Sequence, residues 1–364
     1  MKLEKGNFFK LWLPTRASAG RLVFENPTDN TLRQDADKSV ITAFVYDEQT
    51  VEKLILSEIG QCKRLIDSQK KVWINIDGLR RNEVGQICKE FGIHQLIEED
   101  ILSVDQRPKS DIFEDFVYCL LYQLYLENDA FNELKREQIS MVLGKNFVLT
   151  FQEEATRDAF GDIRKRLQSP LSKVRQLGAD FLYYSLVDAV VDDYFTTMDS
   201  YGEKLERGES QLIRTNAQMR MSYILFLRKE LLLFRRTIYP ARDVISSLNK
   251  NENALFNAKT LRYLKDIYDH ILQAVEMVEN YREGMSNLQD LHMNMANLKM
   301  NESMKVMAIV TCLLAPATVI GGIFGMNFAQ IPLLHNTYGF AVAVALMLLI
   351  PIWMIFVFKK RGWF

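Results

Sequence analysis

Residues 1–150 alternate between two apolar periodicities. The runs ITAFVYDE, KVWINIDGL, DFVYCLLYQLYL, QISMVLG and NFVLTFQ are rich in β-branched and aromatic residues and read as strands. The last two flank Gly144-Lys145-Asn146, a sequence suited to a hairpin turn. Between the strands, TVEKLILSEIGQCKRLI and RRNEVGQICKEFG place apolar residues at helical spacing. The pattern predicts an α/β or α+β domain.

From Ala179 the period is helical and stays so. FLYYSLVDAVVDDYFTTMDSYGEKLERGESQLI and NAQMRMSYILFLRKELLLFRRTIYP predict two long antiparallel helices, with Pro240 marking a break between neighbouring segments. Residues 260–324 then form one continuous helical pattern, with only Gly284 before Pro316. At the helical rise this is a rod of about 100 Å. A lone helix of that length is not self-supporting, so it calls for neighbouring helices, other subunits, or both.

Charge changes the picture. The chain carries a net charge of −1 and is 25% charged, yet residues 306–358 contain no Lys, Arg, Asp or Glu. A large aqueous part is therefore expected before a membrane part. Residues 304–324 and 338–358 approach the ~20 apolar residues that cross a bilayer core. Two buried core helices are the alternative, but the second segment has no polar face. The start, MKLEKGNFFKLWLPTRAS, has too short an apolar stretch for a signal peptide, so translocation of the large part is not expected. Lys299 and Lys305 precede the first span and Lys359, Lys360 and Arg361 follow the second, while the connection carries no positive charge. Both termini are thus expected in the cytoplasm and the connection outside.

Candidate chemistry concentrates at the first span. Asn301, Met304, Ala308, Thr311, Ala315, Thr318, Gly322 and Gly325 recur at alternating spacings of three and four, a seam of small or polar residues. Close helix packing through small residues is one reading; a water-facing pore lining around a symmetry axis is the other. Gly325-Met326-Asn327 ends the span, and helix capping could be its whole role. Repeated around an axis, it would instead form a ring of amide oxygens able to hold the water shell that Mg²⁺ gives up reluctantly. Cys62, Cys88, Cys119 and Cys312 form no CxxC pair, and His94, His270, His292 and His335 show no metal-ligand spacing. Reduced, structural cysteines are expected, and thiolate or imidazole metal centres are not.

Taken together, NESMKVMAIVTCLLAPATVIGGIFGMNF, the tail FKKRGWF, and WINIDGL, EEDILSVDQRPKSDIFEDFVY, YYSLVDAVVDDYF, RRTIYPARDVISSL and KDIYDH resemble the CorA family of two-span divalent-cation transporters, across nearly the whole chain. The resemblance implies an α+β cytoplasmic domain (an α/β sandwich), then long helices and two transmembrane helices, in a funnel-shaped homopentamer. It divides the chain into an α/β domain (1–175), long helices (176–259), a stalk helix continuing into the first span (260–325), an external loop (326–337), a second span (338–358) and a basic tail (359–364). It implies passive, potential-driven Mg²⁺ entry across the cell (inner or plasma) membrane, with Co²⁺ or Ni²⁺ as substitutes. The implied partners are other copies of the chain, lipid and divalent cations, with no nucleic acid and no organic cofactor.

By the same resemblance, Gly325, Met326 and Asn327 form the entrance filter. Asn301, Met304, Met307, Thr311 and Thr318 face the pore, with Met304 and Met307 as a hydrophobic constriction. Asp100 and Asp266 match paired regulatory carboxylates between subunits, and Glu99 and Asp188 match a second ion position. Each carboxylate alone also reads as a helix cap or solvated charge. Two departures stand out: the loop FAQIPLLHN lacks acidic residues beside the filter, and Ala315 replaces a bulkier pore side chain. A zinc transporter of the same superfamily is an alternative, disfavoured mildly because the pore lacks His and, apart from Cys312, Cys. A membrane-anchored scaffold is another, although it would not need the polar seam. No nucleophile–base set or phosphate-binding glycine loop emerges, so an enzyme is not expected.

Overall fold

The computed structural model describes residues 33–56, 59–66, 70–127, 132–154, 159–215, 221–250, 254–327, 331–333 and 336–363. The N-terminal stretch read above against a signal peptide, much of FAQIPLLHN, and Phe364 of the tail lie outside the described residues.

Two-residue alternation builds the first part. Seven strands, β1 (Val40–Tyr46), β2 (Val51–Leu56), β3 (Lys71–Asp77), β4 (Lys109–Ile112), β5 (Phe116–Leu126), β6 (Leu134–Gly144) and β7 (Phe147–Gln152), form one sheet in the order β2-β1-β3-β7-β6-β5-β4. β3 and β7 run parallel; β1 pairs antiparallel with β2 and β3, β6 with β7, and β4 with β5. Successive side chains point to opposite faces. Ile41, Ala43, Val45, Val72, Ile74, Ile76, Tyr118, Leu120, Leu149 and Phe151 share one face and one core cluster with Val84, Ile87, Ile97 and Ile101. The last four belong to α2 (Arg81–Glu90) and α3 (Gln95–Leu102); α1 (Gly60–Ile66) adds Cys62.

The alternate residues make the second face. Phe44 stacks on Trp73 at 5.1 Å, and Trp73 meets Phe160 edge-on at 6.0 Å. Phe160 opens α4 (Gly161–Gln168), which α5 (Lys173–Gln176) follows. Trp73 Nε1 donates to Thr150 Oγ1 at 3.0 Å, so the indole nitrogen is satisfied inside the core. The result is an α/β sandwich with helices on both faces.

Two local readings are corrected. VEKLIL within TVEKLILSEIGQCKRLI is the strand β2, not helix; among the described residues of this stretch the helix is Gly60–Ile66. Asp47 Oδ1 accepts from the backbone N–H groups of Gln49 and Thr50 at 2.7 and 2.6 Å, closing a turn that returns the chain antiparallel to β1. Pairing with a sheet edge overrides a weak helical period. Pro240 does not break a helix: α7 runs unbroken over Met221–Asn249. The lost backbone hydrogen bond and ring clash cost about 3 kcal/mol, and burial of Ile238, Ala241, Val244 and Ile245 opposes that cost.

The helical part consists of α6 (Ala179–Thr215), α7 and α8 (Ala258–Phe324), then α9 (Gly339–Lys360). By contacts the chain forms two units. One holds residues up to Tyr125, Lys135–Asp193 and Tyr239–Ile271; the other holds Leu126–Leu134, Tyr194–Ile238 and the chain from Leu272. In the second unit Tyr201 packs against Phe234 and Tyr281 at 5.6 and 5.2 Å, joining α6, α7 and α8. A Cβ on Gly284 would lie 2.8 Å from Leu205 Cδ2, and one on Gly202 would lie 2.9 Å from the Tyr281 hydroxyl, so glycine permits this approach. Lys204 and Glu230 form a buried ion pair at 2.7 Å; Lys204 Nζ also donates to Asn132 O at 2.7 Å, and Leu134 N donates to Glu230 Oε1 at 2.8 Å.

The apolar lengths of α8 and α9 are different in kind. Only 6% of each apolar window is buried, which separates them from core helices of a water-soluble domain. Hydrocarbon is the environment that suits such surfaces. Tyr338 precedes α9, and Lys359 and Lys360 end it, as anchors at the two membrane interfaces would.

Candidate functional site

Three groups of candidate residues can be placed. The seam lies on α8, where Asn301, Met304, Met307, Thr311 and Thr318 are all exposed in the single chain. Thr311 Oγ1 donates to Met307 O at 2.9 Å and Thr318 Oγ1 to Leu314 O at 3.0 Å. Each hydroxyl proton is thereby satisfied inside its own helix, which leaves oxygen lone pairs outward as acceptors. This arrangement suits a cation or its water shell. Pro316 is accommodated within α8. At the helix end Gly325 N donates to Gly321 O at 2.9 Å and Met326 N to Ile323 O at 3.3 Å. The helix thus terminates through glycine, and Asn327 stands exposed immediately beyond it.

The second group lies in the first unit. Asp188 and Asp192 sit four residues apart on α6, hence on one face. His270 of α8 joins them, so that one ligand atom from each lies within 4.8 Å of the others. Asp266, exposed on α8, is one turn before His270. A cavity of about 360 Å³ opens at Asp188 and Asp192, with Gln123 of β5, Asp193 of α6 and Arg166 of α4 in its wall. Gln123 Nε2 holds Asp193 at 2.7 Å, and the Tyr184 hydroxyl donates to Asp188 at 3.4 Å. Burial, then the neighbouring Asp192 charge, pushes the Asp188 carboxyl up to about 6, against the opposing influence of His270, Tyr184 and Arg166. Two carboxylates and an imidazole are a donor set able to hold a divalent ion.

Asp100 occupies a third environment. α3 presents it, buried, towards β4, where Lys109 forms an ion pair with it and lies 3.9 Å from Asp111. Burial raises the Asp100 carboxyl above its ordinary range, and Lys109 counters that rise. Glu99, one residue earlier, is exposed and lines a different cavity of about 430 Å³ with Arg81, His94 and Glu98.

Sequence reading thus singled out Asp188 but missed Asp192 and His270. The spacing in VDAVVDD carries a signal for Asp192. His270 is 78 positions beyond Asp192, and only the packing of α8 beside α6 brings it in. Imidazole ligation was not expected from the sequence, and the fold places the His270 ring beside these two carboxylates. Lys109 beside Asp100 was also unforeseen, because the two lie on different elements, α3 and the edge strand β4.

Known proteins share this plan. A family model described as "CorA-like Mg2+ transporter protein" matches residues 68–360. The chain is 38% identical over 298 residues to the cobalt/magnesium transport protein CorA of Thermotoga maritima, covering 82% of this chain and 84% of that one. The complete structure of the CorA magnesium transporter from Methanocaldococcus jannaschii superposes with a TM-score of 0.72 at 25% identity, over 89% of this chain and 99% of that one. The ZntB cytoplasmic domain from Vibrio parahaemolyticus superposes at 0.54 with 14% identity, over 71% of this chain and 98% of that one, a likeness of fold alone. The extent of the family match and the identity to a relative over most of both lengths place the chain by descent: it belongs to the CorA-like Mg²⁺ transporter family.

Proposed function

We propose that the chain conducts Mg²⁺, with Co²⁺ and Ni²⁺ as substitutes, into the cytoplasm as a cyclic homopentamer, driven by the membrane potential and closed by cytoplasmic Mg²⁺. One observation carries this reading: α8 is a single helix that bears Asp266 and His270 near its start, the acceptor-lined seam along its apolar length, and Gly325-Met326-Asn327 just past its end. A cation-responsive group and a cation path are thereby joined by continuous backbone. The names of the relatives, one for cobalt and magnesium and one for magnesium, support the choice of cargo.

In this account five copies of α8 surround the axis and α9 forms the outer ring. Asn327 amides with Gly325 and Met326 receive hydrated Mg²⁺ at the outer mouth, where weak binding allows release. Thr318, Thr311 and Asn301 supply further oxygen acceptors, and Met307 and Met304 form a narrow apolar collar on the cytoplasmic side. Both termini stay in the cytoplasm. Asp266 of one copy and Asp100 of the next hold a regulatory cation, and Glu99 and Asp188, the latter with Asp192 and His270, serve a second position. The zinc alternative draws no strength from a likeness of fold. A scaffold reading leaves the outward acceptor seam without a purpose.

The pore assignment has a direct test. With exposed Cys312 replaced by Ala and Cys62, Cys88 and Cys119 left buried, a cysteine introduced at Thr311, at Thr318 or, off the seam, at Val319 is treated with a charged, water-soluble thiol reagent. Cysteine at the two seam positions is expected to react about tenfold or more faster than at Val319, because thiolate forms only where water reaches. Equal rates at all three positions would exclude a water-lined seam.

A further inference from the structure

Asp100 is not bare in the fold. Its carboxylate is buried and already engaged by the ammonium of Lys109. Lys109 opens the edge strand β4, opposite Leu120 of β5, and its side chain lies on the sheet face that α3 covers. Asp111, two residues along on the same face, lies 3.9 Å from the same ammonium. Lys109 therefore stands between two carboxylates, with more of its own side chain in solvent than Asp100 has, 37% against 11%. A lysine so placed is a point charge on a flexible stem, able to leave the carboxylate for water without unfolding anything.

We infer that Lys109 is a built-in competitor for the regulatory cation position at Asp100, and that it sets the Mg²⁺ concentration at which the protein responds. The inference rests on Asp100 holding a cation, as proposed above. Two requirements make the competition useful. A buried carboxylate without a counter-charge is unfavourable, and Lys109 supplies that counter-charge while Mg²⁺ is scarce. The same ammonium must be displaced before Asp100 can face a divalent ion, which weakens apparent affinity. Mg²⁺ approaches with much of its water shell retained, so the exchange is between a directly paired monovalent group and a hydrated divalent one. A site meant to respond only to abundant free Mg²⁺ benefits from such an opponent. The carboxylates at the subunit boundary are then partly neutralised in the cation-poor state, and release of the Lys109 side chain to solvent accompanies binding.

The sign of the effect separates this role from a structural one. Lys109→Met keeps the length and apolar stem but removes the charge. At pH 8 it is expected to lower the Mg²⁺ concentration for half-maximal protection of the full chain from limited proteolysis by about two- to fivefold, the range for a partly exposed ion pair. The half-inhibitory Mg²⁺ concentration for flux should fall in parallel. Lys109→Arg keeps the charge and should leave both close to the unmodified values. If Lys109 only braced the fold, Lys109→Met would weaken Mg²⁺ protection or leave it unchanged, and either result overturns the inference. Asp100→Asn, measured beside it, tests the underlying site. If that variant retains the full Mg²⁺ response, Asp100 does not hold the cation and the competitor role falls with it. If that variant loses the response while Lys109→Met leaves the threshold where it was, the site stands and the inference alone fails.

Discussion

Asn327→Ala is expected to abolish Mg²⁺ transport while the protein still folds, inserts and assembles. Asn327 is exposed just beyond the end of α8, and the backbone bonds that finish the helix come from Gly325 and Met326. Removing its amide therefore disturbs no core. In the proposed account what is lost is an acceptor at the mouth, repeated in every copy. A hydrogen bond to a charged group contributes about 1.5–3 kcal/mol, and each 1.4 kcal/mol is tenfold in an equilibrium. Loss of a whole ring of such acceptors should reduce entry of the hydrated ion by at least about a hundredfold. Uptake by the purified variant, with its oligomer size checked in detergent, measures this. Full transport by a correctly assembled Asn327→Ala protein would remove the entrance role.

The second large effect concerns closure. Asp266→Ala is expected to raise the cytoplasmic Mg²⁺ concentration needed for half-inhibition by about tenfold or more, with no change in the ranking of Mg²⁺, Co²⁺ and Ni²⁺. In the proposed account selection belongs to Gly325-Met326-Asn327, at the far end of α8 from Asp266. In this account the carboxylate charge that Lys109 leaves uncompensated keeps neighbouring copies apart when Mg²⁺ is scarce, and a shared cation reverses the sign of that interaction. The bistable element proposed is the packing of neighbouring α8 helices, and α8 is the element that carries Asp266, Met304 and Met307. Asp266 is exposed, so its replacement by alanine should perturb the fold little. Asp100→Ala acts alike on inhibition but leaves Lys109 without its buried partner, so Asp100→Asn is the cleaner variant. Inhibition curves that overlay the unmodified protein would exclude both residues from the mechanism.

Much of this architecture is legible in one sequence because it rests on period and charge. The strands β1, β3, β5, β6 and β7 announce themselves by β-branched and aromatic runs, and the Gly144-Lys145-Asn146 turn joins an antiparallel pair. The uncharged stretch 306–358 marks the exposed apolar helices without reference to any neighbour. β2 was hidden because VEKLIL at a sheet edge alternates poorly: Ile55 is exposed although it is apolar. Pro240 misled because a proline announces a break locally, while the packing that carries α7 through it comes from elsewhere.

The site was legible in halves. Positions on one element, such as the seam, follow from helical spacing; Asp188 came from the family resemblance and Asp192, one turn on, was missed although the same spacing carries it. Relations between elements do not. His270 reaches Asp188 only through helix packing, and Lys109 reaches Asp100 only because β4 returns beneath α3. The surroundings of the candidate carboxylates are therefore richer than the sequence reading allowed, with an imidazole beside Asp188 and an ammonium beside Asp100.

The most direct measurement is Mg²⁺ entry into liposomes that contain only this protein and a trapped Mg²⁺-sensitive dye, under an inside-negative potential, with and without a proton gradient. The account predicts entry that grows with the potential, is indifferent to the proton gradient, and falls as Mg²⁺ is raised on the side of the large aqueous domain. Entry no faster than in protein-free liposomes, with the assembled protein present in the membrane, would contradict it.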